Sequence, residues 1–319
     1  MGPADIVQSF FSESATYARQ EMEAAVASWG EVAPLLIART LQRADELRAD
    51  PTLDIADNGL AYAINLFGHL RDPAAWPALY AVCTLPDETA DEHIGGRACE
   101  ELGQVLYRCC NGELTKIGEL LQRQDANQWV RVAALHALLY AAAEGQIGRA
   151  PLLEALLTVI EADEGPVDSF YLRVEAGGSL LDFHPHEHAQ RIAKLVEDGV
   201  YEPEQDDDEV AELLQEDLAA CQKALDGHLS GLSRYEPADV HGRMSWWACF
   251  QPRMRGPGQV DLGARTSLGN SARPARESSE SAWGAPQGKP NAISAAERQA
   301  RKRKAQLAKK SKKANRRKK

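Results

Sequence analysis

The densest group of side chains that could bind a metal ion is the run His184-Pro185-His186-Glu187-His188. Imidazole and carboxylate groups are the ligands that zinc takes in proteins. The spacing differs from the His-Glu-x-x-His pattern, in which both imidazoles face one side of a helix. Pro185 favours the first turn of a helix, with His184 in its cap region, so only His184 and His188 can approach each other. An exposed helix start is therefore favoured over a metal site, and a metal-dependent enzyme is the third and weakest functional hypothesis.

Other catalytic signatures are absent from the sequence. It contains no Gly-x-Ser-x-Gly motif and no glycine-rich loop that follows a strand pattern. His136 lies in an apolar run beside Leu135 and Leu138, which is more typical of a satisfied core or groove histidine than of a general base. None of the six cysteines forms a Cys-x-x-Cys pair, so buried free thiols are expected. We therefore predict no cofactor and no catalysis.

The elements that would position these residues recur along the chain. The pair Arg131-Val132 matches Arg97-Ala98 upstream and Arg173-Val174 downstream, at separations of 34 and 42 residues. These spacings are typical of two-helix repeats of roughly 30 to 47 residues. Leu60-Ala61 marks an earlier unit, 37 residues before Arg97. Asp125 and Arg131 resemble the turn aspartate and helix arginine that pair between stacked hairpins, so a structural role is expected for both.

The residues between these markers read as helical hairpins. From Ala61 to Leu70 one apolar stripe follows helical spacing, Asp72-Pro73 starts a new helix, and Trp76 to Val82 gives the next stripe. Runs of alanine after Val132 allow helices to approach closely. No segment alternates apolar and polar residues as a half-buried strand does. We predict an all-α fold, an α-solenoid of HEAT-like helical hairpins.

Charge is divided unevenly along the chain. The whole chain carries −11, but residues 289–319 hold 14 Lys and Arg and a single acid, which gives this tail +13 and leaves −24 for residues 1–288. The cations proposed to bind nucleic acid are Arg301, Lys302, Arg303, Lys304, Lys309, Lys310, Lys312, Lys313, Arg316 and Arg317. A segment of this kind attracts phosphates without sequence specificity. Anionic lipid, the acidic body of the chain and a purely solubilising role are alternatives.

Composition divides the chain into four segments. Residues 1–230 form the predicted solenoid, 251–290 are rich in Gly, Pro and Ser and read as a disordered linker, and 291–319 are the polybasic tail. Residues 231–250 contain three large aromatic side chains within five positions, which predicts either a cap on the last hairpin or a docking segment for a partner. These aromatic residues are Trp246, Trp247 and Phe250.

Three blocks of sequence carry a family resemblance: Ala24 to Leu41, Ile64 to Leu79, and Gly96 to Ile147. In these blocks the chain resembles HEAT-like repeat proteins, and more closely an uncharacterised bacterial family, domain of unknown function 1186. The resemblance implies the fold and no mechanism. Members of that family often continue into a small Cys-rich zinc motif. This chain has no cysteine after Cys249, so zinc binding of that type is not implied.

These observations lead to one main hypothesis and one principal alternative. The main hypothesis is a cytoplasmic, non-enzymatic scaffold that binds a protein partner on the solenoid. The alternative is a nucleic-acid or ribosome-associated protein that uses the polybasic tail. Localisation in the cytoplasm is expected because the N-terminus has no basic segment before an apolar run, and no apolar run reaches the roughly 18 residues that span a bilayer.

Overall fold

The computed structural model describes residues 1–13, 16–53, 57–94, 101–162, 167, 169–203, 205, 207–234, 240–242 and 244. All of them belong to one compact unit, Met1–Asn270. Within these ranges the chain forms α-helices, short 3₁₀ turns and a π-helical turn at 101–102, and no β-strand. The protein is therefore all-α, as predicted. None of the described helices is both long enough and apolar enough to cross a membrane.

The described residues contain fourteen α-helices. In chain order these are α1 Pro3–Phe10, α2 Arg19–Ala27, α3 Trp29–Ala49, α4 Gly59–Leu70, α5 Trp76–Cys83, α6 Asp87–His93, α7 Gly103–Cys109, α8 Leu114–Gln122, α9 Gln128–Ala143, α10 Arg149–Glu161, α11 Phe170–Asp182, α12 Ala189–Glu197, α13 Asp207–Leu213 and α14 Leu218–Arg234. Two 3₁₀ turns, Pro73–Ala75 and His186–His188, precede α5 and α12. Asp72 caps the first of these turns, because its carboxylate accepts a hydrogen bond from the amide of Ala74. The new helix predicted at Asp72-Pro73 thus begins with a 3₁₀ turn.

The helices pack in two layers. In the first, here called layer A, each of α2, α4, α7, α9 and α11 contacts the next. In the second, layer B, α3 contacts α5 and α8 contacts α10. Sequential helices contact each other across the layers, as α8 does α9 and α10 does α11. Each hairpin thereby buries an apolar face that it could not bury alone.

Small residues allow α7 and α9 of layer A to approach closely. Ala133, Ala134, Ala137 and Ala141 of α9 are all buried. Opposite them lies Gly103 of α7, where an added Cβ atom would stand 2.8 Å from the carbonyl oxygen of Ala133. Such a distance is well inside van der Waals contact. The alanine-rich stretch noted in the sequence therefore positions α7 and α9 by allowing their backbones to approach.

Two equivalent arginines join the layers. The Nε of Arg131, on α9, donates to the carbonyl of Leu121 near the end of α8, at 2.9 Å. Arg173, on α11, donates in the same way to the carbonyl of Ala162 directly after α10, at 2.6 Å. Both side chains satisfy carbonyl groups that helix ends leave without an intrahelical partner. The two positions are those that the sequence pattern aligned.

The sequence predicts structural roles for Asp125 and Arg131 like those of residues that pair between stacked hairpins, and their observed partners are local. Asp125 instead forms an ion pair with Arg123, whose Nε lies 2.8 Å from its carboxylate. Arg131 is buried, and its pKa is lowered by burial and then by the charge of Arg173. The Arg131 guanidinium is hydrogen-bonded to the end of α8, so it does not reach Asp125 in the exposed turn. A structural role for both residues holds, with different partners.

The four described cysteines, Cys83, Cys109, Cys110 and Cys221, are free and buried. Burial raises the pKa of the Cys83 thiol to about 12. The pKa of Cys109 is also raised to about 12, mainly by burial and further by Asp72. These two thiols are therefore protonated at neutral pH and are poor nucleophiles. Cys99 and Cys249 lie outside the described residues.

The C-terminal part of the described chain returns over layer A. Helix α14 packs on α9 and α11. Further along, His241 contacts the N-terminal end of the molecule: its Nδ1 accepts from the hydroxyl of Tyr17 at 2.8 Å, and its Nε2 donates to Glu23 at 3.1 Å. Met244 is fully buried. The chain therefore touches both ends of layer A after its last hairpin.

Candidate functional site

His184 differs from the exposed cap residue predicted for it. It is buried, has φ of 45°, and its Nδ1 donates to the carbonyl of Gln215 at 3.1 Å. Pro185 precedes the 3₁₀ turn His186–His188, and the α-helix starts only at Ala189. The chain makes a left-handed turn at His184 because α11 must end before α12 can begin in a new direction. The helix start predicted at Pro185 thus takes the form of a 3₁₀ turn that leads into α12.

The other two histidines of the run point to different carboxylates. The exposed His186 lies 3.3 Å from its neighbour Glu187. His188 has its Nε2 3.6 Å from Glu154 of α10. Within the ranges that the structure describes, no group of three or more His, Cys, Asp or Glu side chains is placed to hold a metal ion. The geometry of this run thus adds no support to the metal-dependent hypothesis.

Arg149, the first residue of α10, organises the same turn. Its guanidinium donates to the carbonyls of Phe183, at 2.8 and 3.0 Å, and of His184. It also forms a two-pronged ion pair with Glu187. Arginine suits this position because its fork of donors serves carbonyl and carboxylate groups together. The His-Pro-His-Glu-His run is therefore held as a structural connection between α11 and α12.

A second cluster of ionisable groups lies between layer A and α14. The Nε2 of His136 on α9 donates to Glu175 on α11 at 2.9 Å. This hydrogen bond lowers the pKa of Glu175. Burial, followed by the charge of Glu175, raises the pKa of Asp182 at the end of α11. His136 is thus a satisfied, partly buried histidine, as the sequence indicated.

His228 closes this cluster from α14. His228 is 7% exposed, and its ring stacks on Phe183, with ring centres 6.1 Å apart and planes 14° from parallel. Burial, and then the charge of His136, lowers the pKa of His228 to about 4. The thiol of Cys221 donates to the carbonyl of Phe183 at 3.0 Å. The carbonyl of Phe183 therefore accepts from both Arg149 and Cys221, and its ring stacks on His228.

A half-buried aromatic residue, Trp129, and two exposed ones, Phe170 and Tyr171, mark the N-terminal ends of α9 and α11. The rings of Trp129 and Tyr171 stack, with centres 4.9 Å apart, and Phe170 lies edge-on to Tyr171 at 5.4 Å. Phe170 is 62% exposed and Tyr171 is 39% exposed. Beside Trp129, the Asn127 amide donates to the carboxylate of Asp87 at 2.7 Å. We call Trp129, Phe170 and Tyr171 the aromatic surface.

Sequence reasoning missed the aromatic surface and the partners of His136. A usable signal existed for the first: Trp129 and Tyr171 are 42 residues apart, the same separation as Arg131 and Arg173. Applying the repeat spacing to every large side chain would have placed the two rings side by side. No such signal existed for Glu175 and His228. Their approach depends on how α14 folds back.

A polar cleft of about 410 Å³ lies at the C-terminal ends of α4, α7 and α9. The hydroxyl of Tyr107 donates to Glu144 at 2.6 Å and accepts from the amide of Gln146 at 2.8 Å. Burial and the hydrogen bond to Glu144 raise the pKa of Tyr107. The remaining lining residues are Arg71, Arg108, Asn111 and Gly112. Tyr107, Glu144 and Gln146 thus form a hydrogen-bonded group within the cleft.

Several predicted contact residues lie outside the described residues. These are the partner-binding candidates Trp246, Trp247 and Phe250, and the tail cations from Arg301 to Arg317. The linker 251–290 also falls there. For these segments the predictions stand on composition alone.

An all-α protein of stacked hairpins, with a C-terminal helix laid over one layer, is the class that these observations define. The model of the family described as "Protein of unknown function (DUF1186)" matches residues 1–251. The chain belongs to this family, as the sequence resemblance indicated. No curated protein and no solved structure matches the chain significantly.

Proposed function

We propose that the chain is a non-enzymatic helical-repeat protein that binds a protein partner through its stacked hairpins. The observation that carries this proposal is the aromatic surface. Three large rings at the ends of successive layer A helices leave apolar area in water, at a cost on the order of 25 cal/mol for each Å². Aromatic residues of this kind are the usual anchors of protein interfaces.

Chemistry elsewhere in the described residues supports a binding role over a catalytic one. His136 is engaged by Glu175, and His188 lies near Glu154. The thiols of Cys83 and Cys109 have raised pKa values. Groups that could act as bases or nucleophiles are thus paired with neighbouring side chains or kept protonated by burial. This favours a structural role for them.

The test is capture of partners from lysate with full-length protein, washed at high salt so that charge-driven contacts are removed. The double variant Phe170→Ser/Tyr171→Ser removes two rings of the aromatic surface. Leu35→Ser is the matched control, since Leu35 is also exposed but belongs to α3 in layer B. We expect a discrete protein to be retained by wild type and by the control and lost from the double variant. Equal retention by all three would exclude the aromatic surface as the binding site.

A second function is favoured by composition alone. The tail of residues 289–319 carries +13 beside a body of −24, and contains no aromatic residue that could stack on bases. We propose that this tail binds nucleic acid, including ribosomal RNA, through phosphates. Deleting residues 289–319 should abolish RNA binding that weakens steeply with salt. RNA binding of equal strength by the truncated chain would remove this proposal and leave the first untouched.

A further inference from the structure

Two Asn-Gly pairs occur in the chain, Asn58-Gly59 and Asn111-Gly112. In such a pair the backbone nitrogen of glycine can attack the side-chain amide carbon of asparagine, because glycine has no Cβ atom to hinder the approach. Asparagine is accordingly one of the chemically labile residues of proteins. The attack requires the peptide between the two residues to rotate, so the surrounding fold decides whether the reaction proceeds.

The pair Asn111-Gly112 lies in the turn between α7 and α8. Both residues are exposed, and their φ angles are 54° and 78°. They are the central residues of a β-turn in which the amide of Glu113 donates to the carbonyl of Cys110 at 3.0 Å. The amide of Gly112 itself donates to the sulfur of Cys110, which is a weak acceptor.

Open space surrounds this turn. Among the described residues, no atom beyond the chain neighbours of Gly112 lies within 4 Å of the position that an added Cβ atom would take. Exposed turns of this kind are where backbone segments move and react most readily. The peptide that joins Asn111 to Gly112 can therefore rotate without displacing a packed neighbour.

The pair Asn58-Gly59 has the same chemistry in a closed setting. Gly59 is buried at the start of α4, and its amide donates to the carboxylate of Asp57 at 2.8 Å. An added Cβ atom on Gly59 would stand 2.3 Å from the ring of Phe11. The carbonyl of Asn58 accepts from the amide of Tyr62 at 3.1 Å. Both ends of this peptide are thus fixed, and the pair is an internal control.

Asn111 and Gly112 also line the polar cleft at the ends of α4, α7 and α9. The charged side chains among its described lining residues are those of Arg71, Arg108 and Glu144. The cleft therefore holds two guanidinium groups and one carboxylate. A second carboxylate formed at Asn111 would balance these charges, and the guanidinium groups would favour its ionised form.

We propose that Asn111-Gly112 is a modification site, at which the folded protein deamidates and gains a carboxylate in the polar cleft. The nitrogen of Gly112 forms a bond to Cγ of Asn111 and loses its proton, while the Cγ–Nδ2 bond breaks and ammonia leaves with that proton. Water then opens the cyclic imide at one of its two C–N bonds and gives aspartate or isoaspartate. This inference is independent of the proposed function and does not involve the aromatic surface.

Peptide mapping of the full-length chain tests the proposal. The folded protein is incubated at pH 8 in water enriched in ¹⁸O, so that product formed before digestion carries the label. Trypsin then releases residues 109–116 and 49–71, each with one Asn-Gly pair, and mass spectrometry measures both. We expect Asn111 to convert at least about tenfold faster than Asn58, because reaction at the buried pair requires local opening first.

Two controls separate the effect of the fold from that of local sequence. In guanidinium chloride the two pairs should react at similar rates, since neither is then protected. Asn111→Gln should remove the labelled product from peptide 109–116, because the longer side chain closes its ring far more slowly.

Two outcomes would overturn the proposal. One is equal conversion of Asn58 and Asn111 in the folded protein. The other is conversion of Asn111 in guanidinium chloride alone, which would mean that the turn protects it. Neither measurement depends on partner capture or RNA binding, so failure here and failure of the proposed function are separate results.

Discussion

At the scale of single residues, arginine side chains at helix ends differ in what they stabilise. Arg149 and Arg191 both pair with glutamates, yet only Arg149 also serves carbonyl groups. Without it, the carbonyls of Phe183 and His184 would lose a charged donor in a buried place. Each carbonyl would keep one other donor, the Cys221 thiol at Phe183 and the His186 amide at His184. A hydrogen bond from a charged donor contributes roughly 1.5–3 kcal/mol, whereas an exposed ion pair contributes about 0–1 kcal/mol.

We therefore predict that Arg149→Ala lowers the free energy of unfolding by about 2–3 kcal/mol. Arg191→Ala, the matched control, should lower it by less than about 1 kcal/mol. Urea denaturation of the two variants and of wild type measures both values. Similar losses in the two variants would mean that the ion pairs, and not the carbonyl contacts, stabilise this turn.

His228 makes stability depend on pH in one direction. Burial and the charge of His136 lower its pKa from 6.5 to about 4 in the folded protein. As the pH drops from 6.5 toward 4, His228 therefore binds a proton in the unfolded chain but not in the folded chain. The free energy of unfolding falls over this range. Glu175, whose pKa is lowered by His136, loses its own contribution only at more acidic pH.

We expect wild type to lose about 2 kcal/mol of unfolding free energy between pH 7.5 and pH 5 through this one group. His228→Gln removes the titration and keeps a polar side chain of similar size. Urea denaturation at the two pH values should show a smaller loss for His228→Gln. The same loss in both proteins would assign the acid sensitivity to other groups.

At the scale of helices, the backbones of α7 and α9 pack closely at Gly103. A methyl group added at Gly103 would meet the backbone oxygen of Ala133, which cannot move without shifting α9. Gly103→Ala should therefore cost about 1–3 kcal/mol of stability despite its better helix propensity. Gly118→Ala is the control, because nothing lies within 4 Å of its added Cβ in α8.

The control should gain up to about 1 kcal/mol, since alanine favours the helix over glycine. Thermal and urea denaturation of both variants show whether each substitution raises or lowers the free energy of unfolding. A gain in both would show that α7 and α9 can separate without loss, which contradicts tight packing there.

The hairpins themselves were predictable from the sequence, because helical periodicity and capping residues are local. Asp72 and Asn127 each cap a helix through their own side chains, and such signals need no knowledge of the fold. The contacts of Arg131 were not predictable in the same way. Its choice between Asp125 and the end of α8 depends on burial, and burial follows from how the layers stack.

The candidate sites show the same limit. The His184–His188 run is conspicuous in sequence, but its side chains diverge because the chain turns at His184. The cluster of His136, Glu175 and His228 joins residues up to 92 positions apart. Only the return of α14 over layer A brings them together. Chemistry that depends on such long-range contacts has no local signature to find.

At the scale of the whole molecule, the unequal charge distribution separates two modes of association. A body of −24 repels other acidic molecules, while a tail of +13 attracts them over a range set by salt. A protein partner held by the aromatic surface would be insensitive to salt. Nucleic acid held by the tail would leave as salt rises. The two proposed functions are therefore compatible and can be measured independently.

The contact of His241 with Tyr17 and Glu23 ties the C-terminal part of the described chain to its N-terminal helices. The contact joins residues more than 200 positions apart in sequence. It lies at the α2 end of layer A, opposite to α11. Two hydrogen bonds to a buried ring contribute about 1–2 kcal/mol in total, so they restrain local opening without dominating global stability.

His241→Ala should therefore raise the opening equilibrium of α1 and α2 about tenfold, because the lost free energy falls on that end alone. Hydrogen exchange followed by mass spectrometry measures this in fragments that cover α1 and α2, with fragments of α10 as the internal reference. His186→Ala is the matched control, since its ring is exposed and contacts only the neighbouring Glu187 among the ion pairs described. Faster exchange throughout the His241→Ala protein would mean that this contact supports the whole stack, and unchanged exchange in α1 and α2 would mean that it supports neither end.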